Sequence, residues 1–205
     1  MQDGGPFNTD KLAKLVKSGT GTLQLTGPNT YTGGTTVNAG ALIADNTSDS
    51  ATGTGAVQVN AGTLGGDGII AGAVVIGTGS GAGAVLAPTF GLLRQVTLTL
   101  QSSLTLQADA TYSYAFKARN GAVRSDQVVA NGLTINNATI AIVGLGQGQI
   151  TIGTVLTVIS NTSANPINGT FSNLPDGAIV TVNGNNLQAS YTGGDGNDLT
   201  LTVVP

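Results

Sequence analysis

The chain has 205 residues, of which 40% are hydrophobic, 8% charged and 4% aromatic, with 32 glycines and a net charge of −3. So little charge leaves the surface to Thr, Ser, Asn, Gln and Gly, and the acidic balance excludes the basic face of a nucleic-acid binder. Every acid is Asp, and there is no His, Cys or Trp, so ordinary zinc, haem and iron–sulfur sites, a Ser-His-Asp triad and a thiol nucleophile are excluded.

The opening residues Met1 to Gly5 offer no basic region followed by an apolar stretch, so no signal peptide is expected within them. Asn8, Thr9 and Asp10 are helix N-cap residues. Leu12, Leu15 and Val16 then come at helical spacing, with Lys11, Lys14 and Lys17 opposite and Ser18-Gly19 as the stop. The pattern predicts a short amphipathic helix over residues 9–17, in an N-terminal segment 1–18 that caps the remainder of the chain.

From residue 19 to 205 the pattern is strand and turn. Segments of alternating apolar and polar residues recur, among them Thr22 to Thr26, Val96 to Leu100, Thr139 to Val143, Thr154 to Ile159 and Leu199 to Val203. Each ends at Gly, Asn, Asp or Pro, and the gaps are too short for crossover helices. The chain reads as all-β. No apolar run reaches the length that spans a membrane.

An internal repeat decides between a sandwich and a solenoid. Val37-Asn38-Ala39-Gly40-Ala41-Leu42 returns as Val59-Asn60-Ala61-Gly62-Thr63-Leu64, a step of 22 residues. That step suits one coil of a parallel β-helix, whose coils stack at about 4.8 Å. Asn38 and Asn60 would then lie one above the other and form an amide ladder. A narrow core of small branched side chains also accounts for the scarcity of rings. The expected fold is a right-handed parallel β-helix (solenoid), less regular from about residue 144, with the N-terminal helix as its cap.

Residues 17 to 42, Lys-Ser-Gly-Thr-Gly-Thr-Leu-Gln-Leu-Thr-Gly-Pro-Asn-Thr-Tyr-Thr-Gly-Gly-Thr-Thr-Val-Asn-Ala-Gly-Ala-Leu, resemble the autotransporter-associated β-strand repeat of bacterial surface proteins. Gly62 to Gly68, Ala84 to Pro88, Ser125 to Gly132 and Gly169 to Leu199 are similar to further parts of such passengers. The resemblance implies a right-handed parallel β-helix, exported and projecting from or coating a bacterial cell surface.

Candidate sites are few. Gly193-Gly-Asp-Gly-Asn-Asp198 fits the first six positions of a calcium-binding nonapeptide, but that motif binds only in tandem, so a turn is expected. Lys117, Arg119, Arg124 and Asp126, with Asp109 nearby, form a mixed-charge cluster read as an exposed loop around Asn120-Gly121, closed by a surface ion pair. Tyr112, Tyr114 and Phe116 share one strand face and would make a sugar-stacking strip if exposed; Tyr31 and Tyr191 are the remaining tyrosines. Sequons at Asn46, Asn137, Asn161 and Asn168 carry no meaning in a bacterial host.

No catalytic, cofactor or metal residues are expected, and the chain reads as a non-catalytic extracellular structural module. The terminal strand, Leu199 to Val204, has almost no charge to guard its edge, so homo-oligomers or fibres are expected. Surface glycans are the alternative partner. Least favoured is a polysaccharide-cleaving enzyme that relies on Asp126.

Overall fold

The structure is a computed structural model that describes residues 12–81, 83–90, 94–119 and 122–205. Two rungs open the solenoid: β1 (Leu15–Lys17) with β2 (Thr22–Leu25), then β3 (Thr35–Val37) with β4 (Ala41–Ala44). Four turns with strands on all three walls come next. They are β5 (Val57–Val59), β6 (Gly62–Gly66) and β7 (Ile69–Ile70), then β8 (Val74–Ile76), β9 (Ala84–Leu86) and β10 (Thr97–Leu100). The third comprises β11 (Leu104–Leu106), β12 (Ala110–Arg119), the hairpin strand β13 (Ala122–Ser125) and β14 (Gln127–Ala130). β15 (Leu133–Ile135), β16 (Thr139–Gly144) and β17 (Val155–Asn161) make the fourth. Three closing strands complete the chain: β18 (Ile179–Val182), β19 (Asn185–Gly193) and β20 (Asp198–Val204).

The expected parallel solenoid is present, and its register explains the sequence pattern. In the first wall Val37 pairs with Val59, Val59 with Ile76, Ile76 with Leu106 and Leu106 with Ile135, one buried column through five strands. Leu23, Leu42, Leu64, Leu86, Tyr112 and Ile140 form the equivalent column of the second wall. Alternate residues point outward, so three-residue strands suffice to wall a core. The Asn38–Asn60 ladder forms, with Asn60 Nδ2 donating to Asn38 Oδ1 at 2.8 Å. It resumes further on, where Asn136 Nδ2 donates to Gln107 Oε1 at 3.0 Å.

The N-terminal helix is not found: no helix occurs among the described residues. Leu15, Val16 and Lys17 instead pair in parallel with Thr35, Thr36 and Val37. Helical spacing over so few residues is outweighed by a ready-made strand edge beside it, because a one-turn helix is costly to nucleate. Lys17 donates its ammonium to Gly19 O of its own turn at 2.7 Å and to Ala39 O of the next coil at 3.0 Å. The start of the predicted helix, through Lys11, lies outside the described residues.

The repeat is also less uniform than one step of 22. Val57 pairs with Val74, whereas Val74 pairs with Leu104 and Leu104 with Leu133, so the later coils are much longer. Their extra residues wall a wider interior. Tyr112, Tyr114, Phe116 and Phe171 are buried there, with the Tyr112 and Phe171 rings stacked at 6.3 Å between centroids. The core thus does admit rings, contrary to the small-side-chain expectation.

The terminal strand is likewise not the open edge expected. β20 is enclosed between β17 and β19, both antiparallel to it, and β18 takes the outer position. Asparagine side chains close the second wall. Asn173 Oδ1 accepts the Ile140 N–H at 2.9 Å while its Nδ2 donates to the Ile140 carbonyl at 2.8 Å, as a neighbouring strand would. Asn183 Nδ2 donates to the carbonyls of Gly144 and Gly146 at 2.9 and 2.6 Å.

Corner glycines hold the coils at contact distance. Gly62 has φ +87°, and a Cβ there would lie 2.3 Å from the Gly40 carbonyl oxygen of the preceding coil. Gly21 faces open space. Gly62→Ala is expected to lower stability by about 1–3 kcal/mol, and Gly21→Ala to change it by less than about 0.5 kcal/mol. Urea-unfolding midpoints compare the two.

Candidate functional site

Sequence alternation along β12 sends Tyr112, Tyr114, Phe116 and Ala118 inward and leaves Lys117 and Arg119 exposed on the outer face. The two faces carry two jobs. Tyr112 donates its hydroxyl to the Val158 carbonyl at 3.1 Å, and burial pushes its pKa well up. Tyr114 is also pushed up, chiefly by burial. Tyr31 is buried against Thr35, and Tyr191 bonds the backbone of Leu174 at 2.7 Å. Burial raises Tyr191 to about 12. The aromatic strip is therefore core, and these rings are not free to stack on sugars.

β13 turns back on the outer half of β12. Phe116 faces Ser125, Lys117 faces Arg124 and Ala118 faces Val123. Phe116 also faces Gly144 of β16, so β13 and β16 lie on opposite edges of β12. The hairpin departs from the parallel stack and carries its charges away from it. Its tip, Asn120-Gly121, lies outside the described residues. Lys117, Arg119, Ala122 and Arg124 of the two strands, together with Arg94 and Gln95, line a groove of about 380 Å³. Every arginine in the sequence lines this groove.

Asp126 does not close the cluster with the expected ion pair. It is completely buried: Oδ1 takes the Thr89 hydroxyl and the Val96 N–H, and Oδ2 the Ala115 N–H at 3.2 Å. Loss of hydration outweighs these bonds and raises its pKa. Its position one residue past β13, at the base of the hairpin, places it where the chain has no parallel partner and the bare amides need an acceptor. The carboxylate ties the turn at Thr89 and the start of β10 to β12.

Asp109 lies elsewhere, against the turn after β8, accepting from Thr78 N at 3.0 Å, Gly79 N at 2.7 Å and Gly81 N at 2.9 Å. Desolvation works to raise it, but these N–H donors prevail and hold it below the usual carboxylate range. Gly193 to Asp198 forms the β19–β20 turn, with Asp198 accepting the Asn161 N–H at 2.8 Å. Among the described residues no three His, Cys, Asp or Glu side chains come together as a metal site. Two sequon asparagines are buried clamps: Asn46 Oδ1 accepts Ile69 N at 2.9 Å, and Asn161 Oδ1 accepts Gly132 N at 3.0 Å.

One pairing was legible only through the coil step. Asp45 and Asp67, 22 residues apart, share a hydrogen bond that raises Asp45 and lowers Asp67. Arg94 lowers Asp67 further and forms an ion pair with it. The same spacing that predicts the asparagine ladder places these acids together.

Residues 15–44 match the family model of the passenger-associated-transport-repeat, a repeat of autotransporter passengers. The match covers β1 to β4, the opening rungs of the solenoid. No curated protein sequence matches the chain.

Asp126→Asn keeps an acceptor for Thr89 and Val96 but turns an NH2 group toward the Ala115 N–H. A loss of about 1–3 kcal/mol is expected from thermal unfolding at neutral pH. Because the folded carboxyl is raised, the wild type gains stability as pH falls through that pKa, and the variant does not. The gap between them should therefore widen toward acid.

Proposed function

We propose that this chain is part of an exported bacterial surface protein and serves there as a stiff, non-catalytic β-solenoid spacer. The observation that carries the reading is the passenger repeat at residues 15–44, whose strands continue without a break into the parallel walls beyond it. Proteins with this repeat are passengers, which implies a surface or secreted location. Among the described residues no helix is long and apolar enough to cross a membrane. Absence of catalysis is supported by the uses to which acids are put: Asp109, Asp126 and Asp198 all accept backbone N–H groups.

Self-association is the second half of the proposal, and it moves from the C-terminal strand to the first rung. Among the described residues β1 pairs only with β3 and β2 only with β4. Leu15, Leu23 and Leu25 are half-buried there, and Leu12 and Val16 are exposed. A strand edge beside unfilled apolar surface favours addition of another coil.

Placed between a signal sequence and an outer-membrane translocator, the chain should reach the cell surface as a protease-resistant unit. Deleting residues 15–44 should lower surface yield several-fold; retention of the intact chain inside the cell would overturn the spacer reading. Light scattering of the purified chain should show mass rising with concentration, and Leu23→Lys, checked for fold by circular dichroism, should stop the rise. A wild-type chain that stays monomeric overturns the association alone.

A further inference from the structure

We infer that the arginine groove on the β12–β13 hairpin is a binding site for an acidic saccharide, one bearing carboxylate or sulfate groups. The inference deepens the reading of an exported surface module, since such a module meets glycans, but its chemistry stands on the groove itself.

The charge distribution is the first observation. The chain has seven Lys and Arg against ten Asp, and four of the seven cations line one groove. Lys117 stands directly across the hairpin from Arg124, an arrangement of like charges that weakens an antiparallel pair. Arg119 lies two residues beyond Lys117, exposed on the same face. Of the four, Arg94 has Asp67, and among the described residues no acid is placed against Lys117, Arg119 or Arg124. A hairpin selected for stability alone would alternate or pair these charges. This one concentrates them, in an acidic protein with many aspartates available.

The second observation is a buried donor. Gln95 lines the same groove, and among the described residues its shielded Nε2 has no hydrogen-bond partner. A buried amide N–H left unmatched is costly, and turning the Gln95 amide toward the groove would let a ligand oxygen match it. Three guanidinium forks and one ammonium present donors only, and the Gln95 amide adds a donor beside its own carbonyl, which fits an acceptor-rich ligand.

The groove also selects among anions. Arg forks match the planar carboxylate and the oxygens of a sulfate in paired fashion. Among the described residues the lining holds no aromatic side chain, so nucleobases have nothing to stack on there. A net charge of −3 opposes a long polyanion lying across the whole molecule, whereas a few residues of an acidic glycan need only the groove. Its volume, about 380 Å³, is that of a small-ligand site.

Calorimetric titration of the purified chain with an oligogalacturonate and with a heparin-derived tetrasaccharide tests this and separates carboxylate from sulfate recognition. Saturable binding of at least one is expected, weakening as salt rises, with no binding of a neutral maltotetraose. Lys117→Ala with Arg124→Ala should weaken it at least tenfold while the melting temperature holds or rises, because a repulsive pair has gone. Arg119→Gln, an exposed substitution, gives the same direction if the double variant misfolds. Binding of neither acidic sugar, equal binding of the neutral one, undiminished affinity in the variants, or binding only to vesicles of anionic lipid would each overturn the site. None of these outcomes depends on export or self-association, so the spacer reading is judged separately.

Discussion

The structure depends on one constraint: every backbone N–H and C=O along a strand must find its partner in the coil above or below. Parallel stacking meets it with very short strands, since Thr35–Val37 or Leu104–Leu106 need contribute only a few bonds each to a continuous ladder. What it demands in return is a chain that turns tightly and keeps register. Glycine at positive φ serves the corners, as at Gly62, where the previous coil leaves no room for a side chain. Polar side chains serve wherever the ladder is interrupted. Asp126 and Asp109 accept the amides that no strand reaches, and Asn173 imitates a strand at the edge of β16.

The same constraint makes the two ends different. At the first rungs the coils are small and the columns are Leu and Val; toward the C-terminus the coils lengthen and rings replace them, with Tyr112 standing in the column of Leu42, Leu64 and Leu86. The third wall is not continued by another parallel rung. The chain reverses instead, so that β17, β20, β19 and β18 finish the third wall antiparallel. Tyr191 and Phe171 lock this closing layer from inside, through the Phe171 N–H to the Tyr191 hydroxyl at 3.0 Å. The C-terminal end is thus finished by antiparallel pairing, with β18 outermost, and not by another parallel rung.

Positive charge is sparse on the walls, and three of the seven cations lie on the β12–β13 hairpin. Within a parallel stack, identical outward positions lie close together, so like charges repeated coil after coil would repel. Thr, Asn and Gln avoid that, and where acids do stack, as Asp45 on Asp67, one keeps its proton more readily and Arg94 stands beside the other. The β12–β13 hairpin escapes the rule because Lys117, Arg119 and Arg124 lie past the Thr111–Phe116 register that β12 shares with β16. It can therefore carry Lys117, Arg119 and Arg124 without disturbing the ladder, at a cost confined to itself.

The all-β class, the positions of most strands, the parallel solenoid and the Asn38–Asn60 ladder were all legible in the amino-acid order. They follow from local alternation, from glycine and asparagine punctuation and from a step of 22 residues, which the chain displays directly. The same spacing, extended beyond asparagine, also contains the Asp45–Asp67 contact. Which side of each alternating segment is the inside was settled by packing between coils: Tyr112, Tyr114 and Phe116 share a face in either case, and only the neighbouring strands place that face in the core. Packing likewise made Leu15 to Lys17 a strand, because the edge of β3 competes with a helix only once the coil exists. Arg94 reaches the hairpin cations, and Asp126 is buried beneath them, through contacts between segments some thirty residues apart, one long coil. Coils of unequal length carry no fixed period, and without a period sequence cannot say which distant residues will meet.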